Sequence, residues 1–341
     1  MAQLSSKISS EEETSMHRSI RDIPGFLAGH ATLAEAGTGC TAIVCPKGAT
    51  GAVDVRGGAP ATRETDLLKP EETVNVLHCV MLSGGSAYGL AAASGAAEEL
   101  ERRGVGLDVG VGIVPIVSSA CLFDLACGSA TVRPGMEEGT QAVANAFDEK
   151  DEPLARGNVG AGCGCTVGKL EGPERAMKSG LSEDVESAGK LLVGALSAVN
   201  AVGNICDPET GKPLSGLLSE DGTHIVNEED ALIAASTSLV MPLARTNTTI
   251  SCIVTNARLT KAEATKVAQM AADGYAHAIR PTHTTNDGDT IFVMASGSLE
   301  APVDLVGTLA ARAIERAIAD AAREAKPAFG LKAASSFDSE I

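Results

Sequence analysis

The chain contains no tryptophan, two tyrosines and six phenylalanines, so aromatic residues make up only 2% of its 341 positions. Any core must therefore be filled by Ala, Val, Leu and Ile, and the 37 glycines point to backbones packed close together. Clustered Lys and Arg are also missing. A formal charge of −17 without a basic patch excludes nucleic acid as an expected partner. No apolar stretch approaches the roughly 20 uncharged residues needed to span a bilayer, so no membrane partner is expected. The first fifteen residues are polar and acidic and lack the basic and apolar regions of a secretory leader, which makes the cytoplasm the expected location.

The nine cysteines are odd in number, and several lie in apolar runs such as Leu77–Leu82 and Ser251–Val254. That pattern fits buried, reduced thiols rather than a disulfide framework. Cys163 and Cys165 form a C-x-C pair that could bind a metal, but no second Cys/His pair with zinc-like spacing accompanies it, and no metal is expected.

Apolar residues reach 44%, an ordered globular composition. Strand-like and helix-like segments alternate. Thr41–Cys45 and Ala52–Val55 read as strands joined by a turn at Lys47–Gly51. Val74–Leu82 reads as a strand, Leu90–Arg103 and Glu137–Phe147 as helices, and Leu191–Val202 as either. Residues 207–246 form the most loop-like internal stretch. Thr249–Val254 is a β-branched strand, Thr260 caps a helix to about Ala278, and Thr290–Met294 is another strand. Val303–Ala325 is a long helix with Leu305, Leu309, Ala313, Ile314 and Ile318 on one face. The expectation is a single α/β layered domain over residues 17–328, with tails at 1–16 and 329–341.

Three segments carry chemistry. Thr246-Asn247-Thr248-Thr249-Ile250 joins the loop-like stretch to a strand, where a threonine hydroxyl could attack the preceding carbonyl; taken alone, it is an ordinary strand start. Asp287-Gly288-Asp289 places two carboxylates before the next strand, where they could hold an amine, although Asp-Gly is a common turn and D-x-D also binds divalent metals. Ser83-Gly84-Gly85-Ser86-Ala87-Tyr88-Gly89-Leu90 lies between a strand and a helix and could offer backbone N–H groups to an anion or oxyanion. Neither this loop nor Gly160-Ala161-Gly162-Cys163-Gly164-Cys165 matches a nucleotide-binding fingerprint, so no cofactor is expected. Lys169 is a lone cation whose alternative is a solvated surface lysine. His283, close to the aspartates, reads as structural rather than catalytic.

Taken together, these segments resemble the self-processing aminopeptidase/D-esterase family, which includes β-peptidyl aminopeptidases and nylon-oligomer (6-aminohexanoate-oligomer) hydrolases. The resemblance runs from about Ser19 to Ala325. Its markers, in order, are Ile20–Gly25, Val55–Pro60, Gly84–Leu90, Gly157–Gly162, Asn200–Gly203, Thr246–Ile250 and Asp287–Thr290. It implies an α-β-β-α sandwich of the N-terminal-nucleophile-like hydrolase type. It also implies cleavage between Asn247 and Thr248 into an α-subunit, 1–247, and a β-subunit, 248–341. Thr248 would then be the nucleophile and its freed amine the base. Asp287 and Asp289 would orient that amine, and Lys169 would assist proton transfer. Asn200, with Tyr88 or the backbone of Gly85 and Ser86, would stabilise the oxyanion. The two aspartates resemble the nylon-oligomer side, because the aminopeptidase branch carries Ser and Glu there. The implied substrate is a short ω-amino-acid or peptide oligomer. An exo-acting aminopeptidase is the nearest alternative, and an unprocessed, non-catalytic binding protein a more remote one. A homo-oligomer, a tetramer of processed αβ units, is also implied.

Overall fold

Apolar runs buried on both faces need a layer on each side, and this chain has several. The computed structural model describes residues 18–235 and 247–337, so the expected N-terminal tail lies outside the described residues. Nine strands form one hydrogen-bonded system: β1 (Leu27–Leu33), β2 (Thr38–Val55), β3 (Thr62–Arg63), β4 (Leu77–Ser83), β5 (Val117–Cys121), β6 (Leu181–Ala188), β7 (Leu191–Asn200), β8 (Thr248–Ala257) and β9 (Thr290–Leu299). The first half of β2 pairs with β1 and β4, and β4 continues through parallel β5 to the edge strand β3. Its second half pairs antiparallel with β9, followed by parallel β8 and then antiparallel β7 and β6.

β2 therefore belongs to two sheets. The turn expected at Lys47–Gly51 is instead an irregularity within one continuous strand, with a register shift between Val44 and Ala49 and a φ of +79° at Gly48. A bulge bends the strand without ending it, which lets its second half reach a different sheet.

The helices are α1 (Ala92–Arg102), α2 (Met136–Asp148), α3 (Glu228–Ala235), α4 (Lys261–Ala278) and α5 (Val303–Glu324). Three apolar cores separate four layers. Ala96, Leu100 and Val143 of α1 and α2 share a core with Val44 and Met81 of the first sheet. Ile43, Val80 and Leu82 meet Leu196, Ile250 and Phe292 between the sheets. Val267, Tyr275 and Ile314 of α4 and α5 cover Val193, Ile253 and Val293. Strand β8 shows the alternation behind this arrangement: Ile250, Cys252 and Val254 enter the inter-sheet core, while Ile253 faces the helices. The architecture is the α-β-β-α sandwich.

Local chemistry agrees with the element starts. Thr260 Oγ1 accepts the Glu263 N–H (3.3 Å) and Glu263 Oε2 accepts the Thr260 N–H (2.8 Å), a reciprocal cap on α4. The ambiguous run from Leu191 is a strand because it lies between β6 and β8 with both faces buried. On α5, Leu305 is exposed, and Val306 takes the buried position expected for it. The loop-like stretch 207–246 contains a short strand, Pro213–Ser215, and α3; residues 236–246, including Thr246, lie outside the described residues. The segment read as a tail from Phe329 is anchored as far as it is described: Ala333 is fully buried and the Lys178 N–H donates to the Lys332 carbonyl (2.7 Å).

All nine cysteines are buried free thiols, and burial pushes those of Cys163 and Cys165 up to about 11 and about 12. Among the described residues, no helix is long and apolar enough to cross a membrane.

Small residues let α1 and α2 touch backbone to backbone. A Cβ on Gly139 would overlap the Ala92 carbonyl, and one on Gly95 would overlap that of Met136. Gly139→Ala should therefore lower stability by about 2 kcal/mol despite the better helix propensity of alanine. Denaturant melts would show it as a lower midpoint at unchanged slope; an equal or higher midpoint would mean that the helices separate freely.

Candidate active site

Strand pairing gathers the distant segments at one end of the second sheet. Asn200, the last residue of β7, lies opposite Thr248, the first of β8. Parallel pairing of Ile250 with Thr290 brings the loop before β9 to the same end. That loop rests on the Val55–Pro60 segment: the Arg56 and Gly57 N–H groups donate to the Asp289 carbonyl (3.0 and 3.2 Å), and the Ala59 N–H donates to the Asp287 carbonyl (2.8 Å).

Thr248 and Asn247 are 4% and 2% exposed. The Thr248 hydroxyl donates to the carbonyl oxygen of Asn247, and the same oxygen accepts the Gly288 N–H (3.2 Å). The hydroxyl thus lies against the carbonyl it would attack, and a backbone donor is aimed at the oxygen that would become negative. Gly288 has to be glycine, because a Cβ there would stand 2.6 Å from Thr248 Oγ1.

The two aspartates have different surroundings. Asp289 Oδ1 accepts the Thr249 N–H (2.8 Å), while its Oδ2 accepts the Thr282 hydroxyl (3.1 Å) and the His283 N–H (3.1 Å) and lies 2.9 Å from His283 Nδ1. His283, stacked on Tyr275 with ring centroids 5.3 Å apart, is part of this clamp. Asp287 Oδ2 accepts the Thr284 N–H (2.7 Å), but its buried Oδ1 has no partner among the described residues. Burial, reinforced by the charge of Asp289, pushes the Asp287 carboxyl up to about 6.

Lys169 is buried rather than solvated. Its Nζ donates to the Asn200 carbonyl (2.8 Å) and to Asn200 Oδ1 (3.0 Å), and burial pushes the ammonium down to about 7. Asn200 Oδ1 also accepts the Thr166 N–H (2.9 Å), and its Nδ2 donates to the Phe123 carbonyl (2.8 Å), so Asn200 is the hub that seats the lysine.

Glu228 was not legible in the sequence. It opens α3 inside the stretch read as loop, and three consecutive acids there look like a solvated helix start. Its carboxyl is 1% exposed, with Oε1 accepting the Leu170 N–H (3.0 Å) and Oε2 without a partner among the described residues. Burial pushes it up to about 8, against the opposing pull of Lys169.

The Gly85 loop is placed differently from the expectation. The Gly85 N–H is committed to Asp124 Oδ1 (2.7 Å) and that of Ser86 to the Leu122 carbonyl (2.9 Å), so neither is available as an oxyanion donor. Tyr88 is 63% exposed, with the Arg133 guanidinium 3.8 Å above its ring. The donor aimed at the Asn247 carbonyl is Gly288, which the sequence reading did not single out. Beside Lys169 lies a pocket of about 530 Å³, whose walls include Phe123, Asp124, Thr166, Phe329 and Leu331.

The four layers, helices enclosing two sheets, define the class of fold, the N-terminal-nucleophile hydrolase type. Comparison with solved structures agrees: the L-aminopeptidase D-Ala-esterase/amidase of Ochrobactrum anthropi, a variant of the Ntn-hydrolase fold, superposes with a TM-score of 0.64 at 16% identity, over 90% of this chain and 86% of that one. The chain belongs to peptidase family S58, which it matches over residues 18–335. It is 42% identical over 297 residues to an uncharacterized aminopeptidase of Mycobacterium leprae, covering 83% of this chain and 80% of that protein. It is 31% identical over 285 residues to the 6-aminohexanoate-oligomer endohydrolase of Kocuria sp. strain KY2, covering 82% and 76%. The protein is an amide-bond hydrolase.

A lysine lowered from 10.5 to about 7 is neutral above that pH and charged below it. Any step that uses Lys169 as proton acceptor should therefore slow as pH falls through about 7. Lys169→Arg, always charged, should slow the step at least about a hundredfold. Rate–pH profiles of amide hydrolysis by the wild type and Lys169→Arg check this; superimposable profiles would remove Lys169 from the proton transfers.

Proposed function

We propose that the chain cuts itself between Asn247 and Thr248 and then uses Thr248 as an N-terminal nucleophile on amide bonds of short ω-amino-acid or peptide oligomers. The observation that carries this reading is the Thr248 hydroxyl lying against the Asn247 carbonyl while the Gly288 N–H donates to the same oxygen. In the first stage, Oγ1 adds to the Asn247 carbonyl carbon as its proton passes to a base, for which Lys169 is the candidate. The C–N bond then breaks, the Thr248 nitrogen takes a proton, and water hydrolyses the resulting ester.

In the second stage the freed α-amine, with an ordinary pKa of about 7.7–8.0, accepts the hydroxyl proton when the substrate carbonyl is attacked. The unpartnered Asp287 Oδ1 is a buried acceptor suited to that amine. Asp289, already saturated, holds the Thr249 backbone still.

The Asp-Gly-Asp pattern and the relative acting on 6-aminohexanoate oligomers support the ω-amino-oligomer substrate. The higher identity to a protein named as an aminopeptidase supports a second reading, an exo-acting aminopeptidase with the same machinery. Parallel assays on a 6-aminohexanoate oligomer and on aminoacyl-p-nitroanilides decide between them. A homo-oligomer of processed units, a tetramer, is part of the proposal. Its support is the exposed apolar hairpin carrying Leu107, Val109, Val111 and Val114, and light scattering after gel filtration should return four αβ units rather than one.

Denaturing mass spectrometry of the purified protein should show two chains, the smaller beginning at Thr248. Thr248→Ala should remain one chain and lose at least about a thousandfold in turnover, while Thr248→Ser should still be cut. Normal cleavage and activity in Thr248→Ala, or a wild-type chain that stays whole on long incubation, would end the proposal.

A further inference from the structure

Past α5 the chain turns back over residues of the first 247 and lines the pocket beside Lys169 with Phe329, Gly330 and Leu331. It is tied down at both ends. At one end, Asn158 Nδ2 donates to the Lys326 carbonyl (2.9 Å) and the Lys326 N–H donates to Asn158 Oδ1 (3.0 Å). At the other, the Lys332 carbonyl accepts the Lys178 N–H (2.7 Å) and Lys332 Nζ donates to the Gly222 carbonyl (2.7 Å). Between these anchors a tight turn is closed by the Leu331 N–H on the Ala328 carbonyl (2.9 Å) and the Ala328 N–H on the Leu331 carbonyl (3.3 Å).

The tip of that turn is unusual. Phe329 has a φ of +54° and Gly330 one of +77°. Glycine adopts this backbone freely, whereas for a bulky aromatic residue it is a strained outlier. The strain is not offset by full burial, because Phe329 is 42% exposed. Its ring lies over Gly37, where a Cβ would come within 2.9 Å of the ring tip. Ring and Leu331 together form one wall of the pocket of about 530 Å³, and Phe123, Thr166 and Lys169 are among the residues of the others. Lys169 bonds Asn200, which pairs with Thr248, so a pocket-wall residue is linked to Thr248 through Asn200. A strained, half-exposed aromatic held over a pocket by anchors on both sides is the pattern expected of a residue kept for contact with a ligand.

We propose that Phe329 and Leu331 are specificity-determining residues, presented by this strap to grip the apolar carbon chain next to the scissile amide. The inference rests on the reading of Thr248 as nucleophile, and it adds that the last part of the 248–341 segment completes a pocket built mostly from the 1–247 segment.

The test uses processed full-length enzyme and three variants. Phe329→Gly removes the ring and relieves the backbone, so a loss cannot be ascribed to misfolding; its thermal midpoint should equal or exceed that of the wild type. Leu331→Ala removes the second contact, and Phe329→Tyr keeps the apolar face. Substrates are p-nitroanilides of glycine, alanine, leucine and 6-aminohexanoic acid. The quantity read is kcat/KM for the leucine and 6-aminohexanoyl compounds relative to glycine. This ratio should fall about tenfold in Phe329→Gly and in Leu331→Ala, mainly through KM, and be kept in Phe329→Tyr. Ratios within twofold of wild type in both truncating variants, including a uniform drop in kcat across the series, would overturn the inference and leave Thr248 untouched. Absence of turnover by the wild-type protein on every compound and on a 6-aminohexanoate oligomer as well would overturn the underlying reading too.

Discussion

Asp289 accepts the N–H of Thr249 and, with its other oxygen, the Thr282 hydroxyl and the His283 N–H. That carboxylate is almost wholly buried, so its charge is tolerable only because several donors converge on it. The same contacts lock the start of β8 to the loop that enters β9. Thr248, Gly288 and Asp287 then meet, although some forty residues of sequence lie between the two segments.

Around the clamp, low polarity sets the chemistry. Burial raises carboxyls and lowers the lysine, bringing Asp287 to about 6, Lys169 to about 7 and Glu228 to about 8. Groups that usually differ by some six units converge near neutrality, where proton transfer among them costs little. The α-amine that cleavage would release falls in the same range. His283, by contrast, is engaged with Asp289 as part of the clamp. The shortage of aromatic residues has a structural counterpart in the outer layers. Glycine and alanine bring α1 and α2 into backbone contact, and the long β2 joins both sheets.

Much of the fold was legible in the sequence. The reciprocal cap at Thr260, the period of α5 and the β-branched run after Thr248 are local signals, and each produced the element expected. The bend in β2 was not legible, because a turn signal such as Gly48 does not say whether the strand ends or passes into another sheet. Leu305 and Val306 are adjacent and similarly apolar, and only packing against the second sheet decides which is buried. At the site, Thr248, Asn200, Lys169, Asp287 and Asp289 all lie where strand pairing gathers β7, β8 and the β9 loop. Gly85 and Ser86 offered the right chemistry, but their N–H groups are engaged by Asp124 and Leu122 instead.

The sequence by itself determined an α/β layering and the short segments that could react, and the resemblance carried by motif order implied the family and its sandwich, because propensity, period and motif order are local properties of the chain. Tertiary structure alone decided which of those segments meet. It separated the saturated Asp289 from the half-free Asp287, made a base candidate of Lys169 by burying it, and placed Glu228 beside Lys169 and Phe329 on the wall of the pocket next to it. These outcomes depend on long-range strand pairing and on exclusion of water, and no window of sequence encodes the distance between Thr248 and Gly288 or the polarity around Lys169.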